Sequence, residues 1–221
     1  EVIPDGVLAL LPKIHTYVVE ATRTARRYLS VAGLKGHIQE LDFHELNEHT
    51  KPEEVERLLP LFNNGNDVGL ITEAGLPAVA DPGSQLVKLC HRHNIEVVPC
   101  SGPSSLMLAL MGSGLNGQSF AFLGYIPAKT DERRQALKSI EKHSASAHQT
   151  KIMIETPYRN DSLFADILNV CQGSTELCVA ADITMPDAYI MTKTISEWKR
   201  YVAGKEAIIG KRPCVFLILA H

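Results

Sequence analysis

Apolar and polar positions along this chain follow two periods. Thr16–Val19, Ile38–Phe43, Val68–Ile71 and Ile95–Val98 are short apolar runs with the length and β-branched content of buried strands. Between them, apolar residues recur at three- and four-residue spacing. Ile3, Val7, Leu10, Leu11 and Ile14 mark one helix, and Arg23–Leu29 a basic one. A third runs from Thr50 to about Phe62, with Thr50 as cap, Pro52 in the first turn and Glu53 at the capping-box position. Asn64-Gly65-Asn66 turns it into the strand at Val68, and a fourth helix runs from near Pro82 to His93. Strands alternating with helices predict a parallel sheet.

Past Ser105 the pattern changes. Leu106–Met111 reads as a buried helix that stops at Gly112-Ser-Gly-Leu-Asn-Gly117. The spacing is formally G-x-G-x-x-G, but it follows a helix and precedes a strand, so it predicts a helix cap and turn and not a phosphate loop. Strands are predicted at Phe120–Tyr125, Lys151–Ile154, Leu177–Ile183 and Cys214–Leu219, with Tyr189–Thr194 closing a hairpin. Helices are predicted at Asp131–Lys142, Asp161–Cys171 (capped by Asn160) and Ile195–Val202. The fold class is α/β: an N-terminal domain with a parallel sheet, residues 1–117, and a C-terminal domain with a mixed sheet, residues 118–221.

Composition narrows the partners. Of 221 residues 45% are hydrophobic, enough to bury a core, and no apolar run reaches the roughly 20 residues of a membrane span. No signal-peptide pattern opens the chain. The net charge of −3, with acids and bases mixed, argues against a whole-surface grip on nucleic acid and leaves room for a local basic patch. Five cysteines, an odd number with no C-x-x-C pair, read as reduced and mostly buried thiols of a cytoplasmic protein, with no metal site.

The candidate chemistry gathers at strand ends. Val68–Ile71 and Ile95–Val98 each run into Gly/Pro-rich segments, Glu73–Gly83 and Ser101–Ser105, where open parallel sheets place ligands. Gly75 and Gly83 permit close backbone approach, Asp81 suits a helix cap, and the amides opening the helix after Ser104 suit an anion. Glu155-Thr-Pro-Tyr-Arg159 ends another strand. Glu20, Thr22, Arg23, Arg26 and Arg27 form one polar cluster, and His44, Glu45, Asn47, Glu48 and His49 another. The arginines suit phosphates, and the His/Glu set suits acid–base work or, less well given its spacing, a metal.

Taken in order, these segments resemble the tetrapyrrole methylase superfamily of S-adenosylmethionine-dependent methyltransferases, nearest to the bacterial small-subunit ribosomal RNA cytidine 2′-O-methyltransferases. The family's Asp-Ala-Gly-Thr-Pro-x-x-x-Asp-Pro-Gly loop is matched by Glu73–Gly83, and its Pro-Gly-Pro-Ser-Ala by Ser101–Ser105. Phe122–Pro127, Glu155–Arg159, Val19–Arg23, Ala25–Leu29 and His44–Glu48 match further motifs. The resemblance implies a cofactor cleft between two α/β domains. S-adenosyl-L-methionine would be held by Glu73, Ala74, Gly75, Pro77, Asp81, Ser104 and Ser105 on one side, and by Glu155, Pro157, Ile183 and Thr184 on the other. It implies Arg23, Arg26, Arg27 and Arg159 against substrate phosphates, Glu20, Glu45 or Glu48 as a base for a ribose hydroxyl, and a homodimer.

The chain departs from the family in places. An opening strand and its Thr-Pro-Ile-Gly-Asn loop have no counterpart, and the chain opens at Glu1 on a helical pattern. Arg-Glu-Leu-Thr-Lys is reduced to Ala181-Asp-Ile-Thr-Met185, Glu73 stands for Asp and Leu76 for Thr. Three readings therefore stand: ribosomal RNA ribose methylation, methylation of a small tetrapyrrole-like molecule, and a non-catalytic cofactor-binding module.

Overall fold

The computed structural model describes residues 2–204 and 209–221. It divides into two compact units between Ser104 and Ser105, ahead of the expected 117/118 boundary.

In the first unit the elements in chain order are α1 (Asp5–Leu8), β1 (Thr16–Val19), α2 (Thr22–Leu29), β2 (Asp42–Glu45), α3 (Pro52–Glu56), β3 (Val68–Ile71) and α4 (Gly83–Arg92). Two helices are shorter than their apolar periodicity predicts, for one reason. A proline lacks an N–H and crowds the carbonyl four residues earlier. Pro12 therefore ends α1 at Leu8, and Pro60 ends α3 at Glu56, each being followed by a 3-10 turn. At the α3 N-terminus the cap is Lys51, not Thr50: Lys51 N–H donates to Glu54 at 2.8 Å, while the Thr50 hydroxyl accepts from Asn47 N–H at 3.0 Å.

β1 is the central strand, flanked in parallel by β2 and β3. The pairing places Thr16 opposite both Asp42 and Val68, so β2 starts later than the expected Ile38, and Ile38–Glu40 forms a 3-10 turn. Tyr17 lies opposite Gly69 with its ring over the glycine; a Cβ there would sit 2.7 Å from the ring. The buried hydroxyl donates to Leu11 O at 3.0 Å, and burial pushes its pKa up to about 12.

Ile95–Val98 does not join this sheet. Ile95 and Val97 pack on the core formed by Val18, Leu86 and Leu89, while Val98 is 71% exposed. Packing satisfies Ile95 and Val97, but a strand also needs a neighbour's backbone, and among the described residues none pairs with this run. The βαβ unit expected at Val68–Val98 thus contributes one strand to the sheet.

The second unit contains α5 (Ser105–Ser113), β4 (Phe120–Tyr125), α6 (Thr130–Ala147), β5 (Thr150–Ile154), α7 (Asn160–Val170), β6 (Glu176–Ala181), β7 (Tyr189–Thr194), α8 (Ile195–Val202) and β8 (Cys214–Leu219). Its sheet has the order β4-β5-β8-β6-β7, with β4 and β5 parallel and the other pairs antiparallel. Leu137, Leu163, Ile167 and Trp198, from α6, α7 and α8, form one core with Phe216 and Ile218 of β8. Ala109 and Leu110 of α5 form another with Ile152, Cys178 and Leu217, and Thr192 Oγ1 donates to Ser113 O at 2.6 Å. That packing assigns α5 to the second unit. The helix ends at Ser113 and Gly114 takes φ +73°, so the G-x-G-x-x-G is a turn.

A buried ionic cluster ties α6 to α7. Arg133 Nε and Nη2 both donate to Asp166 Oδ2, and Arg134 Nε donates to Oδ1 at 2.7 Å. Burial raises the Asp166 pKa, but the hydrogen bonds from Arg134 and Arg133 outweigh it and leave the carboxyl below its usual value. Among the described residues no helix is long and apolar enough to cross a membrane, and no three His, Cys, Asp or Glu side chains group at metal-binding range.

Candidate functional site

In the first unit, three loops leave the carboxyl ends of β1, β2 and β3, and acidic side chains hold them together. Glu20, just past β1, accepts from Thr72 Oγ1 at 2.5 Å and from Glu73 N–H at 2.8 Å through the same oxygen. It pins the loop that follows β3. Glu45, the last residue of β2, accepts from Thr22 N–H at 2.9 Å at the first turn of α2. That backbone bond holds its carboxyl below the usual value. Glu48 is exposed, 3.6 Å from His49. The three carboxylates considered as bases are therefore a loop pin, a helix cap and a solvated side chain.

The His44–His49 cluster disperses in the same way. His44 Nε2 lies 2.8 Å from Asp42, and Asn47 accepts from His49 N–H to close a turn.

The Glu73–Gly83 loop folds upon itself. Asp81 Oδ1 accepts from Ala78 N–H at 2.9 Å and Gly83 N–H at 2.7 Å, so the carboxylate closes the loop just ahead of α4, while the N-cap position itself is Pro82. Gly75, Ala78 and Ala80 all take positive φ, +73°, +65° and +56°. Two alanines in the left-handed region are uncommon and store strain, of the kind found where backbone is shaped for a ligand. A Cβ at Gly83 would sit 2.6 Å from Asp81 Oδ1 and 2.9 Å from the end of Leu70, so a side chain there displaces the Asp81 carboxylate. A Cβ at Gly102 would sit 3.1 Å from Leu76, so Gly102 lies against the Glu73–Gly83 loop within the first unit. The structure thus brings Gly102 of the second singled-out segment to the first. Glu73, Ala74, Gly75, Pro77 and Ser105 are exposed, and Ser104 and Asp81 half-buried.

Of the arginines, Arg26 is engaged, donating to Gln39 at 2.7 Å and stacking over Phe43. Arg23 and Arg27 are exposed, one helical turn apart on α2. They have no carboxylate partner among the described residues.

The second unit has its own loop cluster, at the end of the sheet where β5 and β6 finish and β8 begins. Glu155 Oε1 accepts from Thr156 N–H at 2.6 Å and from Arg159 Nε and Nη2 at 3.0 and 2.7 Å. Arg159, expected at substrate phosphates, is thus committed to Glu155. Glu155 Oε2 is buried with no hydrogen-bond partner. Pro157 opens the 3-10 turn Pro157–Arg159. After β6, Asp182 and Thr184 take φ +51° and +74°; Ile183 packs on the α5 core, and Thr184 is exposed.

Asn160 does not cap α7. It is fully buried, and its Nδ2 donates to Arg212 O at 2.7 Å and Gly210 O at 3.3 Å. Asp161 accepts from Ile209 and Gly210 N–H, so the start of α7 holds the segment leading into β8. That segment carries Lys211, whose Nζ is 5.0 Å from the Tyr158 ring centroid, and Arg212, 3.6 Å from Asp182. Sequence reasoning missed Tyr158, Lys211 and Arg212. Tyr158 was visible within the Glu155–Arg159 motif, but the other two lie far along the chain and carry no local signal.

No protein-family model matches the chain. It is 31% identical over 219 residues to the ribosomal RNA small subunit methyltransferase I of Vibrio cholerae, covering 99% of this chain and 72% of that protein. It is 36% identical over 177 residues to the protein of the same name from Thermotoga maritima, covering 80% and 75%. Among solved structures, the methyltransferase CobJ superposes with a TM-score of 0.64 at 15% identity, over 99% of this chain and 88% of that one. Uroporphyrin-III C-methyl transferase of Thermus thermophilus, complexed with S-adenosylhomocysteine, superposes with a TM-score of 0.54 at 18% identity, over 99% and 91%. These superpositions show a shared fold.

Proposed function

This chain belongs to the ribosomal RNA small subunit methyltransferase I family, and from that premise we propose that it transfers a methyl group from S-adenosyl-L-methionine to a ribose hydroxyl of small-subunit ribosomal RNA. The 36% identity to the Thermotoga relative is the observation that carries this reading. It favours RNA over a tetrapyrrole acceptor, since the solved tetrapyrrole-pathway enzymes share only the fold.

The residues present fit the cofactor. Its carboxylate calls for backbone amides, and in the first unit the exposed Ala74–Gly75 stretch offers them. Its amine and ribose hydroxyls are donors, and Glu155 Oε2 is a buried acceptor without one. Pro77, Asp81, Pro157, Ile183 and Thr184 act by shaping the two loop sets. When bound, the cofactor supplies an electrophilic methyl on a sulfonium.

What the chain supplies is placement. Glu20 fixes the Glu73 loop through two hydrogen bonds, and Asp81 closes it. In-line displacement at a methyl needs alignment and exclusion of water more than a strong base. Glu45 has a lowered pKa and is a weak candidate for proton removal, and Glu48 stands in solvent. Arg23 and Arg27 are the exposed cations for phosphates.

Incubating the protein with methyl-labelled cofactor and small-subunit RNA tests the proposal, with a porphyrin precursor as the competing acceptor. Label is expected in RNA. Label in the porphyrin alone would replace this reading with the second, and cofactor binding without transfer to either would support a binding module. A cytoplasmic homodimer is proposed on the same premise, and sedimentation reads the dimer directly.

A further inference from the structure

We propose that Tyr158 and Lys211 form a platform on which an unpaired base of the RNA, beside the methylated nucleotide, stacks. The inference rests on the RNA reading above.

Tyr158 is 80% exposed, with Lys211 Nζ over its ring at 5.0 Å. A lone exposed tyrosine would mean little. Here both partners stand on rigid supports. Tyr158 is the middle residue of the Pro157–Arg159 turn, which Pro157 stiffens and the buried Glu155 clamps through Thr156 N–H and the Arg159 guanidinium. Lys211 sits on a segment whose backbone is held by Asn160 and Asp161 at Gly210 and Arg212. Two buried polar side chains therefore serve to hold an aromatic ring and a cation outward.

The charge around the ring fits a phosphate chain. The carboxylates Glu155 and Asp182 are each matched by an arginine, Arg159 and Arg212. Lys211 is left as a cation with no carboxylate partner among the described residues. Tyr125, 59% exposed, ends the neighbouring strand β4 opposite Ile154, at the same end of the sheet. Exposed aromatics interleaved with cations are the recurring surface for unstacked RNA bases, because every base offers a π-face and every nucleotide a negative charge. Glu155, which clamps this turn, is a proposed cofactor contact, and on that reading the platform stands beside the bound cofactor.

The test uses the full chain and two titrations. One follows a fluorescent single-stranded oligonucleotide of small-subunit ribosomal RNA by anisotropy, and the other follows S-adenosylmethionine by calorimetry. Tyr158→Ala is expected to weaken RNA binding about 5- to 150-fold, the range for losing one stacked base, and to leave cofactor affinity unchanged. Tyr158→Phe should bind RNA like the parent, and Lys211→Gln should weaken binding with a shallower salt dependence. RNA binding unchanged in Tyr158→Ala, or cofactor and RNA affinity lost together, overturns the platform while leaving the RNA reading intact. A parent protein that binds no RNA and methylates only a porphyrin precursor overturns the RNA reading and the platform with it.

Discussion

Glu20 shows how a single side chain at the carboxyl end of a central strand governs a loop that is remote in sequence. Its carboxylate takes both the Thr72 hydroxyl and the Glu73 N–H, and charge-assisted hydrogen bonds of this kind contribute about 1.5–3 kcal/mol each. Glu20→Ala is expected to weaken S-adenosylmethionine binding by about 10- to 100-fold, the order of one such bond, measured by calorimetry, and to lower the urea midpoint as well. Gly69 has the opposite character, a position defined by what it lacks. Gly69→Ala forces Tyr17 out of its place and is expected to destabilise the first unit by about 1–3 kcal/mol, read from urea denaturation. Both effects were hidden in the sequence. Glu20 was visible as a polar residue in a cluster, but its partner lies 52 residues away. Gly69 read as one more apolar-run residue, and only the register opposite Tyr17 makes it obligatory.

Among the elements, the α6–α7 pair carries the largest electrostatic stake. Asp166 is buried between Arg133 and Arg134, and removing one member of such a group leaves buried charge uncompensated, at a cost of about 3–5 kcal/mol. Asp166→Asn is expected to destabilise the second unit by that order in urea unfolding followed through Trp198 fluorescence. The pH dependence has a definite sign. The folded carboxyl lies below its unfolded value near 3.9, so the unfolded chain takes up its proton first as pH falls. The stabilisation is complete above about pH 4 and is lost as pH drops through the folded value. In Asp166→Asn that acid-side loss should be smaller. The element boundaries also show where sequence patterns give out. Apolar periodicity carries no information about where a proline stops a helix, and the periodic signal therefore overran Leu8 and Glu56.

For the whole molecule, the consequence lies in how RNA would be gripped. A chain of net charge −3 must do so locally, and Arg23 and Arg27 are exposed on one face of α2. Replacing both by alanine is expected to weaken RNA binding and to reduce the slope of log K against log salt by about 1–1.4, since each phosphate contact on a single strand contributes about 0.7. A slope equal to the parent's would remove α2 from the RNA surface.

Taken alone, the sequence determined the alternation of strands and helices, the change from a parallel to a mixed sheet, the position of the loops and the family resemblance. These follow from local period and from the residue types that turns and caps demand. Tertiary structure decided the rest. It kept Ile95–Val98 out of the sheet for want of a backbone partner and drew α5 into the second unit through Ala109 and Leu110. It turned Asn160 from a cap into a clamp and set Lys211 over Tyr158. Each outcome depends on contacts between residues far apart in the chain, whose distances no local pattern encodes.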